Sequence, residues 1–88
     1  MKSGRQIEKY FKGAANHWRI EILILLDKSD GLTLEGITEK LNANFKTMSS
    51  HTKTLVSANL IQKKYIGHSV IHTLTPYGKK FIKFFNSF

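Results

Sequence analysis

The chain has no cysteine, and none of its apolar runs is long. Without cysteine it forms no disulfide and offers no thiolate to zinc, so disulfide scaffolds and thiolate zinc sites are excluded. The longest uninterrupted apolar run, residues 22–26, is too short to cross a bilayer. Because no apolar signal-peptide core follows Met1 either, we expect a cytoplasmic protein with no membrane partner.

Acidic residues are missing from the second half of the chain. All six lie before residue 40, and the seven basic residues among residues 1–42 nearly balance them. Residues 43–88 carry no acid and seven lysines, at positions 46, 53, 63, 64, 79, 80 and 83. This asymmetry favours a polyanionic partner, although charge alone does not separate DNA from RNA or an anionic membrane.

Catalytic signatures are absent as well. The chain has no cysteine nucleophile, no Gly-x-Ser-x-Gly turn, no glycine-rich phosphate loop and no close pair of carboxylates outside its first half. We therefore expect neither an enzyme nor a cofactor. The 88 residues, 41% of them hydrophobic, suit one small folded domain covering residues 1–88.

Hydrophobic periodicity predicts four helices in the first two thirds of the chain. The first, over about residues 4–15, is amphipathic, and the second, over about 17–28, is apolar nearly all round, as expected of a central helix buried on most sides. Thr33 caps a short third helix. Residues 42–44 form a break before a fourth helix over about residues 45–58, whose inner face carries Met48, Thr52 and Leu55.

The hydrophobic period then changes from that of a helix to that of a strand. Residues 60–66 and 69–74 are predicted to pair as a hairpin around Gly67 and His68, with apolar and polar residues alternating on the second strand. Thr75 and Pro76 begin a last helix. The predicted fold is mainly α with a small β-hairpin wing, in the order α-α-α-α-β-β-α, which is a winged helix-turn-helix.

The fourth helix is the predicted reader of a DNA duplex. A helix that follows another across a tight turn is typical of a helix-turn-helix, whose second helix enters the major groove. Lys46, Ser50 and Lys53 share its outer face, and Thr47 and Ser49 lie beside them. Lysine and hydroxyl side chains bond to base edges or to phosphates. A merely solvated helix face is the alternative, but the turn and the hairpin favour DNA.

The hairpin carries the second set of candidate contacts. Lys63 and Lys64 lie on its first strand, and His68 lies at its tip. They suit a wing, over residues 61–73, that follows the DNA backbone or reaches into the minor groove, where each lysine would neutralise a phosphate. A basic hairpin without function is the alternative.

Residues 11–74 resemble the ArsR family of winged-helix transcriptional regulators. The family reads Ala-Asp-Pro-Thr-Arg-Leu-x-Ile-Leu at its second helix, where residues 15–23 read Ala-Asn-His-Trp-Arg-Ile-Glu-Ile-Leu. The family's Ser-x-His recurs within residues 47–51, and its Ala-Gly-Leu-Val corresponds to residues 58–61, Ala-Asn-Leu-Ile. The start of the last helix, Leu-Thr-Pro-Tyr-Gly, is more similar to MarR-type proteins, whose last helix begins Leu-Thr-x-x-Gly.

The resemblance implies a homodimer that binds a palindromic or near-palindromic operator. The DNA contacts it implies are Asn44, Phe45, Lys46, Thr47, Ser49, Ser50 and Lys53. Phe45 replaces the polar residue usual in the family, and either contact with a thymine methyl or packing on the core would account for it. Thr52 replaces the usual leucine, which suggests a looser core or one filled by Trp18.

Aromatic residues at the end of the chain are the predicted dimer contacts. The last helix places five aromatics on one side, more than a chain of this length needs for its core, and exposed aromatic stripes mark interfaces. We expect the helices over about residues 1–15 and 76–88 to pack across a two-fold axis through Ile7, Tyr10, Phe11, Phe81, Phe84, Phe85 and Phe88. Completion of the monomer core is the alternative, favoured for Tyr77 and Phe81. A basic amphipathic helix on a membrane is another.

The four histidines, at positions 17, 51, 68 and 72, invite comparison with metal-sensing ArsR proteins. The cysteine pair of the family's site is absent, and the last helix has neither histidine nor carboxylate. We therefore expect no metal site.

The sequence thus predicts a sequence-specific regulator that binds double-stranded DNA, most simply as a homodimeric repressor. Two alternatives remain open. One is a winged helix that binds protein or RNA, and the other is an architectural protein that binds DNA without regard to sequence.

Overall fold

A computed structural model describes all 88 residues, which form five helices and one two-stranded antiparallel sheet. The order is the predicted one, and the predicted boundaries hold to within one residue except at the end of the last helix. The elements are α1 (Gly4–Ala14), α2 (His17–Lys28), α3 (Leu34–Lys40), α4 (Phe45–Ser57), β1 (Ile61–Ile66), β2 (Ser69–Leu74) and α5 (Pro76–Phe85).

Every helix begins with a side chain that caps its free backbone N–H groups. Asn16, Thr33, Asn44 and Thr75 accept such bonds at the starts of α2, α3, α4 and α5. The caps predicted at Thr33 and Thr75 are confirmed, whereas the capping role of Asn44 was not predicted. Ser3 adds a capping box with Gln6 at the start of α1, a Ser-x-x-Gln signal that the sequence reasoning missed.

The core lies where α2, α4 and the base of the hairpin meet. Eleven apolar residues are buried there: Ala14, Ile22, Leu23, Leu26, Ile37, Met48, Leu55, Leu60, Ile61, Leu74 and Ile82. The predicted inner face of α4 is confirmed, since Met48, Thr52 and Leu55 are all buried. The expectation that α2 is buried on most sides was too strong, because Ile24 is exposed on its outer side.

The hairpin projects from this core. Its register pairs Ile61 with Leu74 at the base and Ile66 with Ser69 at the tip, and only Ile61 of β1 is buried. Leu32 forms a bridge to His72, which gives the sheet a third contact at its base. Gly67 has a φ of +61°, as a two-residue hairpin turn with glycine at its first position requires.

The alternation predicted for β2 is wrong at the base of the hairpin. His72, Thr73 and Leu74 are all buried, although consecutive strand residues point to opposite faces. Both faces are covered there, because α2, α3 and α5 all pack on this strand. The alternation rule assumes that one face meets water, and that condition holds only nearer the tip.

Two glycines allow α1 and α5 to pack closely on neighbouring segments. A Cβ on Gly13 of α1 would overlap the Cβ of Ala58, and a Cβ on Gly78 of α5 would overlap the backbone oxygen of Leu60. Both glycines are buried. None of the five helices is long and apolar enough to cross a bilayer.

Candidate nucleic-acid interface

The outer face of α4 is an open surface of lysine and hydroxyl groups. Lys46, Ser50 and Lys53 are exposed, on the side of the helix opposite the buried Met48, Thr52 and Leu55. Thr47 is exposed and Ser49 is partly buried beside them. The helix contains no carboxylate, so nothing on it repels a phosphate backbone.

The turn before α4 orients its first residues. Asn42 takes a φ of +49°, a left-handed conformation that asparagine tolerates. Asn44 then caps the helix, and its Oδ1 accepts bonds from the Thr47 backbone N–H at 3.0 Å and from the Thr47 hydroxyl at 3.4 Å. Asn44 and Thr47 therefore have a structural role in addition to any contact with a ligand.

Phe45 is the first residue of α4, and it does not belong to the core. Its side chain is 50% exposed, so packing on the core does not explain its presence. If α4 lies in the major groove, as the sequence predicts, this exposed ring can contact an apolar base edge such as a thymine methyl.

Arg19 of α2 holds α4 against the first two helices. Its Nε donates to the carbonyl oxygen of Gly13 at 2.6 Å, its Nη2 donates to that of Lys12 at 3.4 Å, and its Nη1 donates to Nδ1 of His51 at 3.0 Å. His51 lies on α4 between Ser50 and Thr52. One guanidinium thus joins the end of α1 to the middle of the predicted recognition helix.

This arrangement favours the neutral form of His51. Burial lowers the pKa of His51 below its ordinary value of 6.5, and the nearby charges of Arg19 and His17 lower it further. The Nδ1 atom that accepts the bond from Arg19 must carry no proton, so this hydrogen bond also favours the neutral ring. His51 is therefore a hydrogen-bonded, partly buried histidine beside the core.

The core beneath α4 contains a hydroxyl without a partner. Thr52 is buried, and its Oγ1 makes no hydrogen bond. Trp18 packs against the core only partly buried. The unpaired hydroxyl is a consequence of threonine at this position that the sequence analysis did not predict.

Lys63 and Lys64 point to opposite faces of the hairpin, a distinction that the sequence reasoning did not draw. Lys63 pairs with His72 and lines an open groove of about 440 Å³ between the hairpin and the start of α3. Lys64 pairs with Ile71 and lines a different groove, beside Asp30. Neighbouring residues of a strand point to opposite faces, so these two lysines cannot contact the same surface of a partner.

The groove beside Lys63 contains one acid. Glu35 lines it together with Thr33, His68 and His72, and Nδ1 of His72 is 3.0 Å from the carbonyl oxygen of Leu32. That bond fixes the hairpin base to the start of α3. His68 lies at the exposed tip, as predicted.

Two exposed apolar side chains at the end of β1 were not predicted as site residues. Tyr65 is 75% exposed and Ile66 is 61% exposed. Both residues directly precede the hairpin turn, but the sequence does not show how far the hairpin projects beyond the core.

The predicted dimer residues divide into two groups. Ile7, Tyr10, Phe81 and Phe85 are partly buried within their own chain, while Phe11, Phe84 and Phe88 are about half exposed or more. The rings of α1 and α5 already meet inside one chain, with centroids 4.6 Å apart for Tyr10 and Tyr77 and 5.1 Å apart for Phe11 and Phe81. The expected role of Tyr77 and Phe81 in completing the monomer is confirmed.

The last helix is shorter than predicted. It ends at Phe85, so Phe88 lies beyond it, 92% exposed, with its ring centroid 5.2 Å from that of Phe84.

Nowhere in the chain do three or more histidines and carboxylates form a group able to hold a metal ion.

Solved structures of transcriptional regulators share this fold, whereas no protein-family model and no curated protein matches the chain. The homodimeric DNA-binding domain of Mb0332 from Mycobacterium bovis, a possible ArsR-family regulator, superposes with a TM-score of 0.84 at 22% identity, over 98% of this chain and 86% of that one. The transcriptional repressor PagR of Bacillus anthracis gives 0.84 at 20% identity, over 92% and 93%. The regulator HlyU of Vibrio vulnificus gives 0.79 at 25% identity, over 94% and 86%.

A MarR family protein is also among the structural matches, in keeping with the start of the last helix. The helix-turn-helix of α3 and α4 and the hairpin that follows them are common to this set of folds. The chain therefore has the winged helix-turn-helix fold, and its structural neighbours are ArsR-type and related transcriptional regulators.

Proposed function

We propose that the chain is a sequence-specific DNA-binding regulator that acts as a homodimeric repressor. The observation that carries the proposal is the outer face of α4, where Lys46, Ser50 and Lys53 are exposed on a helix with no carboxylate. A winged-helix fold shared with transcriptional regulators supports it.

In this proposal α4 lies in the major groove. Lys46 and Ser50 contact base edges, while Lys53 and the cap residues Asn44 and Thr47 bind phosphates or flanking bases. Phe45 and Ser49 complete the contact. The hairpin, with Lys63, Lys64 and His68, contacts the flanking backbone or minor groove.

The proposed dimer joins the exposed rings of Phe11, Phe84 and Phe88 from two copies. A large apolar patch rimmed by lysines is typical of an interface, and Mb0332 is described as a homodimer. A two-fold dimer presents two copies of α4, so the operator is proposed to be palindromic or nearly so. Repression by promoter occlusion is proposed because PagR, of the same fold, is a repressor.

A gel-shift experiment tests the DNA part of the proposal. The probe is the duplex upstream of the protein's own coding sequence, challenged with random-sequence duplex and with double-stranded RNA over a range of salt concentrations. We expect a complex that survives excess random duplex and RNA and weakens steeply with salt.

The other outcomes identify the alternatives. If random duplex displaces the probe as well as unlabelled probe does, the protein is an architectural DNA binder. If double-stranded RNA displaces it better, the protein is an RNA-binding module. Either result contradicts the proposed regulator.

A further inference from the structure

The hairpin tip has an unusual distribution of apolar and basic residues. Tyr65 and Ile66 are largely exposed, and no other element covers them. Single exposed apolar residues are ordinary, so exposure alone implies nothing. Here two such residues are adjacent, at the most distant point of a projecting hairpin that carries lysines and no acid.

The register assigns one lysine and one apolar residue to each face. Lys63 and Tyr65 share one face with Val70 and His72, and Lys64 and Ile66 share the other with Ser69 and Ile71. Each face thus has a charge nearer the base and an apolar side chain nearer the tip. A flat partner, such as a membrane surface or one side of a protein, would meet only half of this arrangement.

A groove with two anionic walls matches both faces at once. The minor groove of B-DNA is bounded by two phosphate strands and is about 6 Å wide and 7.5 Å deep. A hairpin that extends about 17 Å from its buried base, at roughly 3.3 Å per residue, is long enough for its tip side chains to reach the floor. Its two faces with their side chains are thicker than about 6 Å, so the hairpin enters only if the groove widens as the duplex bends. Lys63 would then face one phosphate wall and Lys64 the other.

We propose that the wing tip enters the minor groove and that Ile66 acts as an apolar wedge at a base step, with Tyr65 against the sugars of the opposite wall. Apolar side chains inserted in this way partly unstack the step and bend the duplex. This inference rests on the proposed DNA-binding function and extends it, because the wing would deform DNA as well as neutralise it.

The test compares Ile66→Thr with the wild type and with Ile24→Thr, a matched change at an exposed isoleucine of α2. Threonine keeps the β-branched shape that a strand favours, and Ile66 lies outside the core, so the hairpin should persist with an unchanged melting temperature. The probe is a duplex of about 30 base pairs from the upstream region, carrying a dye at each end so that energy transfer reports bending.

We expect the wild type to raise the energy transfer on binding. Ile66→Thr should weaken binding by about tenfold and remove most of the rise, because an apolar contact is lost, while leaving the salt dependence unchanged. Lys63→Gln and Lys64→Gln should each lower the slope of log K against log salt by about 0.9 and leave the bend in place. Ile24→Thr should behave as the wild type.

The experiment distinguishes failure of the proposed DNA binding from failure of the proposed wedge. If the wild type does not bind the duplex, the proposed function fails and this inference fails with it. If the wild type binds but does not bend the duplex, or if Ile66→Thr binds and bends like the wild type, the wedge is overturned and the DNA-binding proposal stands.

Discussion

Arg19 and His51 connect the predicted recognition helix to α1 and α2 by hydrogen bonds. Arg19 donates to two carbonyls at the end of α1 and to His51 on α4. A positive charge at a helix C-terminus is favourable in itself, and the hydrogen bonds add direction to it. The resemblance to ArsR proteins identified both residues, but their contact appears only in three dimensions.

The neutral state of His51 makes folding stability depend on pH. Its pKa is lowered in the folded protein, so below about pH 6.5 the unfolded chain binds a proton that the folded chain resists. The stability from this pair is therefore fully present above pH 6.5 and is lost as pH falls toward the folded pKa.

We expect His51→Asn to remove this pH dependence. Asparagine can still accept a bond from Arg19 through Oδ1, and it does not titrate. Urea unfolding at pH 7 and at pH 5 should show a smaller loss of free energy in the variant than in the wild type. Equal losses in the two proteins would show that His51 does not titrate against folding.

At the scale of elements, α4 and the hairpin have different predicted tasks. In the proposed complex the side chains of α4 contact base edges, whereas those of the hairpin contact phosphates and the minor groove. Substitutions in α4 and in the hairpin should therefore change DNA binding in different ways.

We expect Lys46→Ala to reduce discrimination between the upstream duplex and random duplex, by an amount on the order of tenfold, because a base contact is lost. Lys64→Gln should weaken both duplexes about equally. Lys83→Gln, on the exposed side of α5, is the charge-matched control and should change neither. Competition binding at fixed salt measures all three, and a uniform loss in Lys46→Ala would contradict base reading by α4.

The junction of α5 with the hairpin base is a second element-scale prediction. Gly78→Ala would force a methyl group into the backbone oxygen of Leu60, which also accepts the Thr75 N–H. We expect it to cost about 1–3 kcal/mol of unfolding free energy, as overpacking does. Gly4→Ala, at an open site on α1, should be neutral or slightly stabilising. Equal urea midpoints for the two variants would contradict this account.

Local signals explain why the elements were predictable from the sequence. Asn16, Thr33, Asn44 and Thr75 are short polar residues that cap helices through bonds within three residues, and apolar spacing records which helix face is buried. The burial of Thr73 was not predictable, because it depends on helices from distant parts of the chain that cover both faces of β2.

The parts of the candidate site that follow local spacing were predictable from the sequence. The parts that depend on tertiary structure were not. Lys46, Ser50 and Lys53 follow helical spacing, so their shared face could be derived. The opposite faces of Lys63 and Lys64 follow from strand alternation, which the sequence reasoning did not apply to charge. The exposure of Tyr65 and Ile66 required knowing how far the hairpin projects from the core.

At the scale of the whole molecule, the aromatic rings of α1 and α5 divide between packing within the chain and the proposed dimer contact. Tyr10, Tyr77 and Phe81 pack within the chain, so they stabilise the monomer. Phe84 and Phe88 remain 48% and 92% exposed after that packing. The surface available to the proposed second copy, which also includes the half-exposed Phe11, is therefore smaller than the sequence suggested.

We expect a double variant, Phe84→Ser with Phe88→Ser, to be monomeric by light scattering at a concentration where the wild type is a dimer. Its unfolding should change little beyond the effect of dissociation, because neither ring is in the core. Ile24→Ser, at another exposed apolar site, is the control and should remain dimeric. A dimeric double variant would place the interface elsewhere.

The central claim is that two copies of α4 read a DNA sequence related by a two-fold axis. Selection of duplexes from a random-sequence pool by the wild-type protein, followed by sequencing, measures this directly. The account predicts enrichment of an inverted repeat whose half-sites lie about one helical turn, or a multiple of it, apart. A pool that shows no enriched sequence after selection would contradict it.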